Sequence, residues 1–550
     1  MSTERLSIDH LNVPLPSSAD RRFAVEDLSL TVSKGEILCI VGESGSGKSL
    51  TALAAMGLLP GNLGRPSGQV MFEGMDLLTL DEKTRRGITG RRIAMIFQEP
   101  TAALNPIYRI GEQVSETFRI HTTMSQEEIK AKVIDLFTEV HLPHPEQIYH
   151  SYPHQLSGGQ CQRVMIATAL ALDPSVLIAD EPTTALDVTT QAQILKLMLE
   201  LRARHETGII FITHDFGVVA EIADRVAVMQ MGRLIEVGTR DEILNHPREA
   251  YTRRLLAAVP TLSPRKAREG LGNPVLVASN IVKTFTRSGV FGGGRTVKAV
   301  DNVDITIRTG ETLGLVGESG SGKSTLAQCV IRLVQPESGD IVIAGGDFTR
   351  LSGKALREAR RKVQIVFQDP YTALDPRQKV GDAIAEGPIV HGLDRKAAMA
   401  RALDLLEACG LDRASATRFP HEFSGGQRQR ICIARALAVE PDLLIADESV
   451  SALDVSVQAQ VLDLLASMQK RLGFGILFIT HDLRVASQIC DTIAVMKNGK
   501  IIERGDPASL FGDPKETYTR ELLAAVPGKG WQHAAMTTEA GTVTPREAME

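Results

Sequence analysis

The octapeptide GESGSGKS occurs at 42–49 and again at 317–324, each time matching GxxxxGK[ST]. That spacing makes a phosphate-binding loop, because glycines let successive backbone N–H groups turn inward as an anion nest. A helix opening at the loop's end adds the positive pole of its dipole. In the first copy Gly42, Ser44, Gly45 and Gly47 shape the nest, Lys48 reaches the β- and γ-phosphates, and Ser49 offers a hydroxyl to Mg²⁺. In the second copy Gly317, Ser319, Gly320 and Gly322 shape it, with Lys323, Ser324 and the adjacent Thr325 at the phosphates and metal. A fortuitous glycine turn is the bland alternative. Against it, an apolar run (EILCIVG, ETLGLVG) precedes each copy and a helix-forming run (KSLTALAAMGLL, KSTLAQCVIRLV) follows.

Further chemistry sits at the ends of other apolar runs. SVLIAD and DLLIAD end on Asp180-Glu181 and Asp447-Glu448. Carboxylates at the C-terminal edge of a sheet stand where open α/β folds bind ligands. Asp180 and Asp447 are expected to hold Mg²⁺, and Glu181 and Glu448 to polarise the attacking water. A pair of solvated acids after a strand is common, but beside a phosphate loop that reading loses. His214 and His481 follow FIT at another run's end and can hydrogen-bond a γ-phosphate and the lytic water, although a lone histidine is more often structural. Ser157-Gly158-Gly159-Gln160 and Ser424-Gly425-Gly426-Gln427 each open a helix. They read either as simple serine caps or as a second anion site that one nucleotide in one domain does not need.

The elements that must position these groups come in two sets. IFQEP (96–100) recurs as VFQDP (366–370), LIADEPTTALD (177–187) as LIADESVSALD (444–454), and YTRRLLAAVP (251–260) as YTRELLAAVP (518–527). A period this long means two complete domains rather than a solenoid. Expected bounds are 1–260 and 275–527, joined by the polar Pro- and Gly-bearing linker 261–274, with a further flexible piece at 287–296 and a loose tail over 528–550 that holds Trp531. Continuous apolar runs such as GIIFIT and GILFIT predict strands buried on both faces, hence an α/β fold with a mostly parallel sheet covered by helices. SQEEIKAKVIDLFTEV (125–140) predicts a helix with a capping box, 394–410 its counterpart stopped by Gly410, and Asn498-Gly499 a hairpin.

Composition sets bounds on function. The 550 residues are 43% hydrophobic and 23% charged, with a net charge of −5, so there is no electrostatic reason to expect nucleic acid as main partner. The six cysteines form no CxxC pair and predict buried thiols rather than a zinc or iron–sulfur site. The start MSTERLSIDHL lacks a signal-peptide pattern and no run approaches a bilayer span, so a membrane role is expected to come through a partner.

The order of glycine loop, glutamine loop, SGGQ, Asp-Glu, ALD and histidine resembles the ATPase domain of ABC transporters, over about 5–260 and 275–527. That resemblance implies a head-to-tail arrangement of the halves, each ATP held between one phosphate loop and the other half's SGGQ turn. Lys48 would then share nucleotide with Ser424, Gly425, Gly426 and Gln427, and Lys323 with Ser157, Gly158, Gly159 and Gln160. It implies Gln98 and Gln368 at Mg²⁺ or the lytic water, and Asp187 and Asp454 across the seam. It also implies an aromatic against adenine: Phe285 in the second half and, more weakly, Phe23 in the first. Fusion would keep the halves at high effective concentration.

FQEPTAALNP, FQDPYTALDP and the YTRxLLAAVP tails resemble the peptide/nickel importer group, and two fused copies without a cysteine cluster resemble the Yej-type ATPase of microcin C and oligopeptide uptake. The resemblance implies ATP and Mg²⁺ as cofactors, two membrane permeases and a substrate-binding protein as partners, and a peripheral place on the cytoplasmic face of the inner membrane. Dipeptide, glutathione or nickel uptake are alternative cargoes. A ribosome-acting twin ATPase would show a long charged helical linker, and a nucleotide-sensing regulator would show dead sites; neither feature is in the sequence. Ser449 stands where Pro182 stands in the first half and where the family usually has proline, a change expected to alter the loop after Glu448 without removing chemistry; Cys161 stands opposite Arg428 without a functional reason.

Overall fold

The computed structural model describes residues 4–17, 21–183, 186–265, 268, 270–287, 295–451 and 453–531. Within the expected linker, 266, 267 and 269 lie outside the described residues, as do most of the glycine-rich piece 287–296, the alanines of both ALD motifs and the tail from 532.

Each half is built on a six-stranded sheet. In the first the order is Arg233–Thr239, Arg225–Gln230, Ile37–Val41, Gly208–Ile212, Val176–Asp180, Ile93–Ile96. In the second it is Lys500–Gly505, Thr492–Lys497, Thr312–Val316, Gly475–Ile479, Leu443–Asp447, Val363–Val366. Five strands of each sheet pair in parallel, and the edge strand that opens each order is antiparallel. Leu38 and Ile40 face one core with the helix Lys48–Met56, while Ile37, Cys39 and Val41 face another with the helices of the opposite layer. Two-sided burial is why these strands read as unbroken apolar runs. A second, antiparallel sheet of four strands covers the first core in each half, for example Phe23–Ser33, Glu4–Pro14, Ser67–Phe72 and Met75–Asp76.

Local signals behave as their chemistry dictates. Ser125 and Glu128 close a capping box on the helix Gln126–Glu139. Asn498 and Gly499 take φ 47° and 82°, the left-handed pair that a two-residue hairpin needs. All six cysteines are buried and free.

The halves interlock reciprocally. Val188, at the start of the helix Val188–His205, lies in the second half's core. Its counterpart Val455, at the start of Val455–Leu472, packs against the first half's core. The first residues of the expected linker are docked rather than free: Arg265 N–H donates to the Ser487 carbonyl, and Arg268 pairs with buried Asp491. The tail expected to be loose begins with a docked stretch. Gly528 N–H donates to Glu221, and Trp531 packs on the first half's core with its Nε1–H on Asn245 Oδ1 at 3.2 Å. A single indole buries much apolar surface and finds a partner for its N–H without any periodic pattern announcing it.

Candidate ATP sites

Each phosphate loop is folded by steric necessity. Gly42 and Gly47 take φ 151° and 100°, and a Cβ on them would come within 2.2 Å of the Met229 carbonyl oxygen and 2.7 Å of that of Ala24. Only glycine fits such positions. The loop then delivers Lys48 into a buried place where its Nζ donates to Gly42 O at 2.7 Å and Glu43 O at 3.0 Å. Lys323 does the same to Gly317 O and Glu318 O, both at 2.8 Å. Burial lowers both ammonium pKa values from the ordinary lysine range; Asp454, Glu181 and Asp180 oppose that at Lys48, and Glu448, Asp447 and Asp187 at Lys323. Asp454 and Asp187 belong in each case to the other half.

The acid–base groups converge on the same place. Ser49 Oγ donates to Asp180 Oδ1 and Ser324 Oγ to Asp447 Oδ1, each at 3.0 Å. Burial pushes Asp180 up to about 6 and Asp447 upward as well, while the hydrogen bonds from Ser49 and Ser324 oppose the shift. Gln98 Nε2 donates to Glu181 Oε2 at 3.1 Å, and Gln368 Nε2 to Glu448 Oε2 at 2.8 Å. His214 Nδ1 lies 3.4 Å from Glu181, and His481 Nδ1 3.6 Å from Glu448. Burial alone would lower both histidine pKa values, but the hydrogen bond and charge of the glutamate raise them. Burial likewise raises Glu448, and His481 and Lys323 reverse it, so this carboxylate stays ionised at neutral pH. Glu181 and Glu448 both sit at φ 46°, a strained backbone that aims the side chain off the strand end toward the histidine.

The two halves meet at these loops. Ser44 N–H donates to Asp454 Oδ2 at 2.8 Å, and Asp187 is held by Thr190 and, from across the seam, the Ser319 backbone. Ser456 Oγ donates to Glu43, and Thr189 Oγ1 to Glu318 at 2.6 Å. The carboxylates of the ALD segments are therefore seam residues in both directions. Glu43 and Glu318 were not singled out in the sequence; their presence in both copies of GESGSGKS was the available signal.

Among the described residues, the hydrogen bonds that shape the SGGQ turns come from within each half. Ser157 and Ser424 close capping boxes with Gln160 and Gln427. Gly159 and Gly426 are forced by close neighbours, Thr190 and Val457, whereas a Cβ on Gly158 or Gly425 would meet nothing within 4 Å. Packing inside the chain does not require glycine at those two positions. Phe285 is 45% exposed beneath Lys283, and Phe23, on the strand Phe23–Ser33, lies beneath Arg22. Gly45, Gly320 and Thr325 lie at their loops or helix starts as the motif requires.

Sequence reasoning missed the tail tyrosines. Tyr251 OH accepts from Glu43 N–H at 3.4 Å and Tyr518 OH from Glu318 N–H at 3.0 Å, so the repeated tails brace the phosphate loops. Tyr518→Phe is expected to cost about 1 kcal/mol of stability by orphaning that N–H, read as a lowered melting temperature, with a smaller loss for Tyr251→Phe at its longer bond. The exchange of Cys161 for Arg428 also gains a physical reason. Arg428 lies 3.8 Å from the Tyr371 ring centroid and donates Nε to Pro420 O, whereas Cys161 Sγ sits 3.7 Å from Pro153 O and Thr101 replaces the tyrosine. The cation and the ring appear as a pair in one half and are absent as a pair from the other.

Two candidate sites, each with a phosphate-loop fold, a hydrogen-bonded Ser–Asp pair and a Glu–His–Gln group, fit a twin P-loop ATPase. The ABC transporter family model matches 25–184 and 300–451, and the chain belongs to that family, as an ATPase with two such domains. A second model, the oligopeptide/dipeptide transporter C-terminal region, matches 235–280. The glutathione import ATP-binding proteins GsiA of Shigella dysenteriae serotype 1 (strain Sd197) and Escherichia coli (strain K12) are each 47% identical over 560 residues, covering 95% of this chain and 89% of theirs. A solved dimeric ATP-binding cassette, MJ0796 in a post-hydrolysis state with ADP and Pi, is 29% identical and covers 42% of this chain and 98% of its own, at TM-score 0.39.

Proposed function

We propose that this chain powers uptake of small peptides, of oligopeptide or glutathione class, by closing its halves on two ATP molecules beneath separate membrane permeases. Residues 1–260 and 275–527 serve as the two ATPase domains. The observation that carries the reading is the complete Glu–His–Gln group beside a phosphate loop in each half, with the other half's aspartate on the same loop. The match over 235–280 and the import named for the relatives support the peptide cargo. No helix among the described residues is long and apolar enough to cross a membrane. As an importer ATPase, the chain would work peripherally on the cytoplasmic face, with two permease subunits and a substrate-binding protein as partners; membership of the ABC transporter family supports this reading.

In each site Lys and the loop N–H groups bind the triphosphate. Ser49 with Asp180 and Ser324 with Asp447 are hard oxygen donors suited to Mg²⁺, which would neutralise developing phosphate charge; Gln98 and Gln368 stand beside them. Glu181 and Glu448 orient and polarise the attacking water. His214 and His481 hold the glutamates and reach the γ-phosphate. The open space at Gly158 and Gly425 suits phosphate approaching from the other half's loop. Reconstituted with its permeases in proteoliposomes, the chain is expected to drive ATP-dependent uptake of labelled glutathione, dipeptide or oligopeptide. Uptake of Ni²⁺ with none of these peptides would overturn the cargo reading.

A further inference from the structure

One arginine breaks the symmetry of the seam. Asp215 and Asp482 directly follow the two histidines, and each caps the helix behind it, Phe216–Ile222 and Leu483–Ile489. Two residues after Asp482 comes Arg484; two residues after Asp215 comes Gly217. The Arg484 guanidinium donates Nη1 and Nη2 to the two oxygens of Asp215 in the other half, both at 3.0 Å, and Nε and Nη2 to its own Asp482 at 3.1 and 2.9 Å. The three side chains are 13%, 18% and 23% exposed. Beside them is a cavity of about 80 Å³ lined from both halves, with His214 and His481 in its wall.

A second arginine has no room. A Cβ on Gly217 would lie 2.7 Å from Arg484 Nη1 and 2.6 Å from the Pro527 carbonyl oxygen, because the C-terminal stretch crosses there to reach Glu221. One cation therefore serves two aspartates, with Glu221 the further acid nearby. Buried bidentate pairs of this kind fix geometry, and removing one partner strands the other charge.

We propose that Arg484 is a positioning residue shared by both ATP sites: its guanidinium holds Asp215 and Asp482 at once and so fixes the loops of His214 and His481 from one point on the seam. This rests on the histidine roles given above. The full-length chain is assayed for steady-state ATP hydrolysis, with circular dichroism and melting temperature as controls for folding. Arg484→Gln is expected to lower kcat about tenfold with KM for ATP changed by less than about twofold. Asp215→Asn should lower kcat in the same direction but less, since it breaks one of the two links, and the double variant should be no worse than Arg484→Gln alone, which already removes both. Arg484→Lys, which keeps the charge but loses the fork, should fall between. A residue that only supports folding would lower the melting temperature and leave kcat alone. Folded Arg484→Gln with parental kcat, or multiplying effects of Arg484→Gln and Asp215→Asn, overturns the proposal. If Arg484→Gln does not fold, Arg484→Lys decides: a several-fold lower kcat at unchanged KM supports it, and parental kcat sinks it. Parental turnover in His214→Ala/His481→Ala would sink the histidine reading and this proposal together. Loss there with parental Arg484→Gln sinks this proposal alone.

Discussion

Replacing Glu181 and Glu448 together with glutamine is expected to stop ATP turnover, by about a hundredfold or more, while ATP stays bound. The exchange is nearly isosteric, and the new amide oxygen still accepts from Gln98 or Gln368, so the 3.1 and 2.8 Å bonds that order the site need not break. What disappears is the negative charge. Without it the water is no longer polarised, and the histidines lose the charge that raises their pKa. Phosphate release should vanish, labelled ATP should remain in a one-to-one complex with each loop, and the closed state should accumulate. Undiminished phosphate release in the double variant would show that another group activates the water.

Replacing Ser424 with arginine is expected to weaken nucleotide bound at Lys48 about tenfold or more, and nucleotide bound at Lys323 far less. The substitution removes the hydroxyl that caps the helix Gly425–Leu437 and puts a bulky cation into the open space at Gly425. Its first effect should fall in the other half, because Asp454, the next seam element of the second half, already lies on Ser44 of the first phosphate loop. Site-resolved photolabelling of the two loops reads this directly. A greater loss at Lys323 would reverse the pairing of the halves.

Much of this molecule could be read before its coordinates. Phosphate loops, strand-end acids and histidines announce themselves because each chemical role demands one residue type at one spacing, and duplication repeats the demand. Two-sided burial writes itself as unbroken apolar runs. The braces were illegible for the opposite reason. Tyr251 and Tyr518 reach backbone N–H groups, which every residue carries, so no partner type marks the pairing. Trp531 is one aromatic with no period to betray its face. Arg484 differs from Gly217 by a departure from the repeat, and only the packing of Pro527 and Gly528 shows why the two positions cannot match.

That mismatch also bears on how such a chain came to be one polypeptide. Two separate, identical subunits meeting about a twofold axis would carry either two arginines at this point or two glycines. Covalent union relieved each copy of having to complement itself. The axis residue could then be supplied once, and mutations that a homodimer would feel twice became available one at a time.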